Sequence, residues 1–250
     1  MERKLISVDN IVIGGLQTLT ITPQQEPPTT LQLIREVKLD YECITLAAHG
    51  NDVYVGTEDG KILKVSDKEK IEILENVNDS NSCFNGFCVY GENLYCLTGS
   101  DNPFIISKYD IRNTIEQVHS WNFDDPDAGM WGSKIAITQN QLVVADIAHS
   151  RLTIFSLTGQ LIRYVDCPQF RDYSWVCICV SPSNSDVIIV SDYDSDRVFA
   201  VNLTTRAVLW TNSDIINPQG IVSYGSEHIL VTKTDSNTQL WILNANTGQP

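Results

Sequence analysis

The chain has 250 residues, 42% of them hydrophobic and 19% charged, with a formal net charge of −14 at pH 7. That length buries about three quarters of the surface an unfolded chain exposes, in one or two domains. So negative a field disfavours broad nucleic-acid binding, and no apolar run reaches the roughly 20 residues of a membrane-spanning helix.

The opening residues, MERKLISVDN, lack the long apolar core of a secretory signal. A cytoplasmic location is the expectation. The seven cysteines agree, being odd in number, and Cys43, Cys88, Cys96, Cys177 and Cys179 sit inside strand-like runs. They read as buried thiols of a reduced protein; Cys83 and Cys88 of CFNGFC are the one pair to consider for a metal, and no His or second Cys pair lies at zinc spacing to complete a site.

Apolar runs broken by short polar turns then recur along the chain. The first, faint, is IVIGGLQTLTI (residues 11–21), followed by LQLIREVKL (31–39), which reads as an outer strand after Pro27-Pro28. The second is YVGTEDGKILKV (54–65) and the third YCLTGSDNPFIISKY (95–109). The fourth unit resolves into strands over 134–138, 141–145, 151–156 and 161–165, the last pair joined by a turn at Gly159. The fifth repeats them over 176–180, 187–191, 198–202 and 207–211, and the sixth is LVTKTDSNTQLWIL (230–243).

The residues just after each first run are Gly15, Thr57, Thr98, Asp146, Asp192 and Lys233, in steps of 42, 41, 48, 46 and 41 residues. Such a period, with four short strands per unit, predicts a β-propeller. The expectation is an all-β, single-domain, six-bladed ring of four-stranded antiparallel blades, with blades near 1–40, 41–82, 83–128, 129–172, 173–215 and 216–250. The last blade lacks a fourth strand of its own. Three closures are open: a three-stranded last blade, an outer strand from the first seven residues, or a strand beyond Pro250.

In the fourth and fifth units an Asp ends one run and an Arg opens the next, as Asp146 with Arg151 and Asp192 with Arg197. The D-x-D-x-D of VSDYDSDRVFAV (190–201) fails as a calcium loop, because Arg197 stands where Gly is needed and Leu203 where the bidentate Glu would be. The Arg is expected to fold back onto the Asp as a structural turn pair, leaving Asp194 and Asp196 as solvated turn residues.

On these residues the chain resembles the NHL-repeat family of six-bladed propellers. The resemblance is carried by VADIAHSRLTIFSLTGQ (144–160), VSDYDSDRVFAVNLTT (190–205) and the Pro218-Gln219-Gly220 entry of the last unit. It implies a recognition module for proteins or structured RNA, of the kind found at the C-terminal end of tripartite-motif ubiquitin ligases. No RING, B-box or coiled-coil pattern is present.

Loops after each outer strand share one face, the top, with the second-to-third-strand turns. Two are long and rich in binding-anchor residue types. WNFDDPDAGMW (121–131) offers Trp121, Asp124, Asp125, Asp127 and Trp131; CPQFRDYSW (167–175) offers Phe170, Arg171, Tyr173 and Trp175. Their acidic and aromatic character points to a basic or amphipathic peptide or protein as partner.

An enzyme reading, as in metal-dependent six-bladed hydrolases or lactonases, needs oxygens or nitrogens converging on the channel top. The positions expected there are Lys4, Glu42, Phe87, Lys134, Trp175, Val176 and Gly220, where only Glu42 suits a metal. His49, His119, His149 and His228 are scattered, and no nucleophile or phosphate-loop motif occurs. The expectation is a non-catalytic protein without metal or cofactor. RNA binding is the alternative, weakened by the net charge.

Overall fold

The structure is a computed structural model that describes residues 6–7, 15–18, 35–41, 43–66, 71–76, 84–99, 104–112, 116–123, 135–147, 149–170, 175–233 and 239–250. Within these the chain is all strand and turn. In chain order the strands are β1 (Ile6–Ser7), β2 (Gly15–Thr18) and β3 (Arg35–Lys38). Blade I follows with β4 (Cys43–His49), β5 (Asp52–Thr57), β6 (Lys61–Val65) and β7 (Ile71–Asn76). Blade II holds β8 (Phe84–Tyr90), β9 (Asn93–Thr98), β10 (Phe104–Asp110) and β11 (Glu116–Phe123). Blade III holds β12 (Ile135–Thr138), β13 (Gln141–Asp146), β14 (Arg151–Ser156) and β15 (Leu161–Asp166). Blade IV holds β16 (Val176–Val180), β17 (Val187–Asp192), β18 (Arg197–Asn202) and β19 (Val208–Asn212). Blade V holds β20 (Pro218–Tyr224), β21 (His228–Lys233) and β22 (Gln239–Asn244).

Each blade is an antiparallel meander, and blade V takes β1 as its outer strand, with Ile6 opposite Leu240 and Ser7 opposite Gln239. Of the three expected closures, the N-terminal one is found. The expected six blades are corrected to five four-stranded blades among the described residues. Among the described residues, the segment assigned to a first blade holds β1, which joins blade V, and the two-stranded ladder β2–β3. The physical reason lies in the pairing: Ile6 and Ser7 of that segment add to β22 at the edge of blade V instead of building a sheet with β2 and β3.

The core lies between blades, not within them. Along β17 every residue is buried. Alternation sends Ile188 and Val190 against blade III, and Val187 and Ile189 against blade V. The same period splits blade III, with Val143, Ala145, Leu152 and Ile154 facing blade IV and Leu142, Val144 and Phe155 facing blade II. This explains why the second strands read as continuous apolar runs. A sheet buried on both faces has no polar side to alternate.

The third and fourth strands slip register once in blades I to IV, between Ile62 and Leu63, Lys108 and Tyr109, Ile154 and Phe155, and Ala200 and Val201. Such bulges add twist, which suits an outer strand splaying away from the ring axis. Inner strands of successive blades pack side by side from β4 through β8, β12 and β16 to β20. No comparable packing joins β20 to β4 among the described residues, and the outward face of blade I (Val53, Val55, Leu63, Val65) is covered instead by Leu39 and Tyr41 after β3.

Candidate functional site

The predicted turn pairs both form. Asp146 and Arg151 face each other at the open end of β13–β14, as Asp192 and Arg197 do at β17–β18. Asp146 is fully buried; its Oδ2 accepts from Arg151 Nε at 2.7 Å, and Oδ1 lies 3.0 Å from His149 Nδ1. The Arg151 guanidinium also stacks 3.9 Å over the Tyr164 ring. Asp192 is equally buried, but its Oδ2 lies 3.6 Å from Arg197 Nη2, because that nitrogen also donates to the Gln169 carbonyl of the preceding loop.

Asp194 and Asp196 are exposed turn residues, as expected, and each also accepts a backbone N–H from a neighbouring loop. Asp194 Oδ2 accepts the Trp175 N–H at 2.8 Å, and Asp196 Oδ1 accepts the Asn217 N–H at 2.8 Å. The Tyr193 N–H donates to the Trp175 carbonyl at 3.0 Å. One acidic turn therefore fastens the loops entering blades IV and V, since ionised carboxylates are strong acceptors for backbone N–H groups. Asp196 (φ 51°) and Asn217 (φ 53°) take the left-handed conformation, which Asp and Asn tolerate better than most residues.

Where the Asp–Arg pattern lapses, other chemistry closes the same turn. In blade I, Thr57 Oγ1 donates to Asp59 Oδ1 at 2.5 Å and accepts the Lys61 N–H at 2.9 Å, while Lys61 Nζ pairs with Asp59. The carboxylate has moved two residues along, which TEDGK shows once the register is known. In blade II, Thr98 Oγ1 reaches the Ile105 carbonyl at 3.3 Å.

Of the proposed anchors, Trp175 alone is shown exposed, at 56%. Phe170 is a core residue, 4% exposed and packed against Phe199 with ring centroids 5.9 Å apart, so its placement at a partner surface is corrected. The loop folds it inward through the Phe170 N–H to Cys167 carbonyl bond at 2.9 Å. Trp121 belongs to strand β11, opposite Ile106, rather than to the loop. Asp124, Asp125, Asp127, Trp131, Arg171 and Tyr173 lie outside the described residues, as do Lys4, Glu42 and Lys134. Phe87, expected at the channel top, is 7% exposed in an edge contact with Phe84 at 5.0 Å.

The opposite face is taken up by contacts between blades. His49 meets Glu92 at 3.6 Å, Tyr90 donates to Asn140, Gln139 donates to Ser185 at 2.6 Å, and Ser183 donates to Asn246 at 2.7 Å. Each link joins one blade's turn to the next from I to V. Burial raises the Cys88 and Cys96 thiols and pushes Cys167 and Cys179 up to about 12, so these are inert packing groups. Among the described residues no group of three or more His, Cys, Asp or Glu side chains is placed to hold a metal ion.

No protein-family model and no curated protein matches the sequence. Solved structures do match in shape. A protein of unknown function from Bacteroides caccae has TM-score 0.66 at 12% identity, over 87% of this chain and 84% of that one. Virginiamycin B lyase from Staphylococcus aureus has TM-score 0.61 at 14% identity, over 83% and 69%. A chain of the mitotic checkpoint complex has TM-score 0.59 at 13% identity, over 84% and 64%. At such identities the matches show a shared fold, the β-propeller, and among its bearers are an enzyme and a component of a protein complex.

Proposed function

We propose that the chain is a non-catalytic recognition domain of NHL type, spanning residues 1–250 as one unit in the cytoplasm. It binds a protein or peptide through its top-face loops. The observation carrying this reading is Trp175: more than half exposed, yet held on both sides, by Asp194 at its N–H and by the Tyr193 N–H at its carbonyl. An exposed indole on a fixed backbone loses little freedom on binding, which is what makes aromatic anchors effective. The NHL assignment is supported by the Asp–Arg turns of blades III and IV, and a place in protein assemblies by the propeller within the mitotic checkpoint complex.

The test is partner capture from a cell extract by the wild-type domain, by Trp175→Ala, by the Trp131→Ala/Tyr173→Ala double variant, and by Glu227→Ala in an exposed turn on the opposite face. The top-face variants should lose capture at unchanged melting temperature while Glu227→Ala retains it. Equal capture by all four would remove the reading.

A further inference from the structure

The turn over 193–196 does more than tie two loops together. On one side its Asp194 holds Trp175; on the other its Asp196 holds Asn217, next to Ile216. Ile215 is fully buried and packs between blades IV and V, so Ile216 points out and is 51% exposed. Two large apolar side chains therefore flank one acidic turn, each beside a backbone amide fixed by a carboxylate of that turn. Neither is covered by another part of the described chain.

Among the described residues in this turn and beside Ile216 the exposed charges are carboxylates: Asp194, Asp196 and Asp214. The cations of these turns are drawn inward, Arg151 onto Asp146 and Arg197 towards Asp192 and the Gln169 carbonyl. Lys233, half-buried opposite Pro218, offsets only part of this. A ligand that buries Trp175 and Ile216 must bring its own rim close to carboxylates. An acidic rim would be repelled there, whereas Lys or Arg would find partners without displacing an existing ion pair.

We propose that Trp175, Ile216 and the 193–196 turn form a docking site for a peptide segment that carries a large apolar residue flanked by Lys or Arg. This inference rests on the recognition reading above and gives that reading a partner chemistry. The apolar contact supplies most of the affinity, and the charges select the ligand.

The experiment uses the full chain and two ten-residue probes, each with a central Phe-Leu pair, one flanked by lysines and one by glutamates. Binding is followed by fluorescence anisotropy at low and moderate salt. The lysine probe should bind at least about tenfold more tightly than the glutamate probe, with the gap narrowing as salt rises. Asp194→Asn and Asp214→Asn should each weaken the lysine probe about twofold, as expected for an exposed pair. Asn at 194 keeps the acceptor for the Trp175 N–H, so that loss reports charge and not loop geometry. Trp175→Ala should cost about tenfold or more for an anchor of this kind.

Equal binding of the two probes, or failure of the lysine probe to bind, overturns the inference. If both probes bind equally and both are lost in Trp175→Ala, the recognition reading stands and only the charge preference falls. Tighter binding of a polyuridine RNA than of the lysine probe replaces the peptide with a nucleic acid and likewise overturns it.

Discussion

Asp146→Ala removes the carboxylate that closes the top of blade III. The side chain is fully buried, 2.7 Å from Arg151 Nε and 3.0 Å from His149 Nδ1. Opposite charges about 4 Å apart attract by about 4 kcal/mol at the effective dielectric of such sites. Losing one partner of a buried pair costs about 3–5 kcal/mol, because the other charge is left uncompensated. Arg151 keeps 17% of its side chain exposed and its stacking on Tyr164, so part of that cost is relieved by solvent. The expected loss is about 2–4 kcal/mol, or a fall in melting temperature of about 4–16 °C for a chain of this size. Calorimetry and urea titration of Asp146→Ala, Arg151→Ala and the double variant measure it directly. The double variant should lose clearly less than the two singles together, leaving a coupling of about 1–3 kcal/mol. A loss below about 0.5 kcal/mol in Asp146→Ala, or additive single losses, would refute a structural ion pair at this turn.

Four further outcomes are expected. Gly56→Val should destabilise by about 1–3 kcal/mol, because even a Cβ there would lie 2.8–2.9 Å from Phe87, Phe84 and Thr45; chemical denaturation reads the loss. Gly248→Ala should loosen the C-terminal turn, since a Cβ would sit 2.4 Å from Trp210 Cε3 at a φ of 69°, and the Asn244 amide that donates to the Gln249 carbonyl should exchange faster with deuterium. Deleting the first seven residues should strip the outer edge of blade V, exposing Gln239 and Leu240 to exchange and raising concentration-dependent association, measured by sedimentation. Stability should fall as pH rises from about 9 to 12. The Cys167 and Cys179 thiols keep their protons in the native state up to about 12, whereas the unfolded chain releases them near 9. The unfolded state then binds fewer protons, and each thiol contributes a loss of roughly 1.4 kcal/mol per pH unit across that window. An unchanged denaturation midpoint between pH 9 and 11 would contradict it.

The blades were readable where burial is strongest. In blades III and IV the strands end within a residue of the boundaries read from alternation and turn residues, since Gly159, the Gln139-Asn140 turn and the Asp–Arg pairs all mark the same register. The blade count was misread because an apolar run of blade length does not reveal which sheet it joins. Ile6 and Ser7 pair with β22, at the far end of the chain, a contact with no local signature.

The site was less legible. Phe170 and Trp175 look alike in CPQFRDYSW, and only the inward turn at Cys167 separates a core ring from an exposed one. Asp194 and Asp196 act across 19 and 21 residues of sequence, on amides that no spacing rule identifies. Ile216 follows the same logic, as one of an adjacent pair of isoleucines of which only Ile215 turns into the core.

The most direct test of a top-face recognition propeller is hydrogen–deuterium exchange on the intact chain with and without its bound partner. Slowed exchange is expected at Trp175, across 193–196 and at 214–217, with the opposite turns at 139–140, 181–186 and 225–227 unchanged. Slowing confined to those opposite turns, with the 193–196 turn unaffected, would contradict the account.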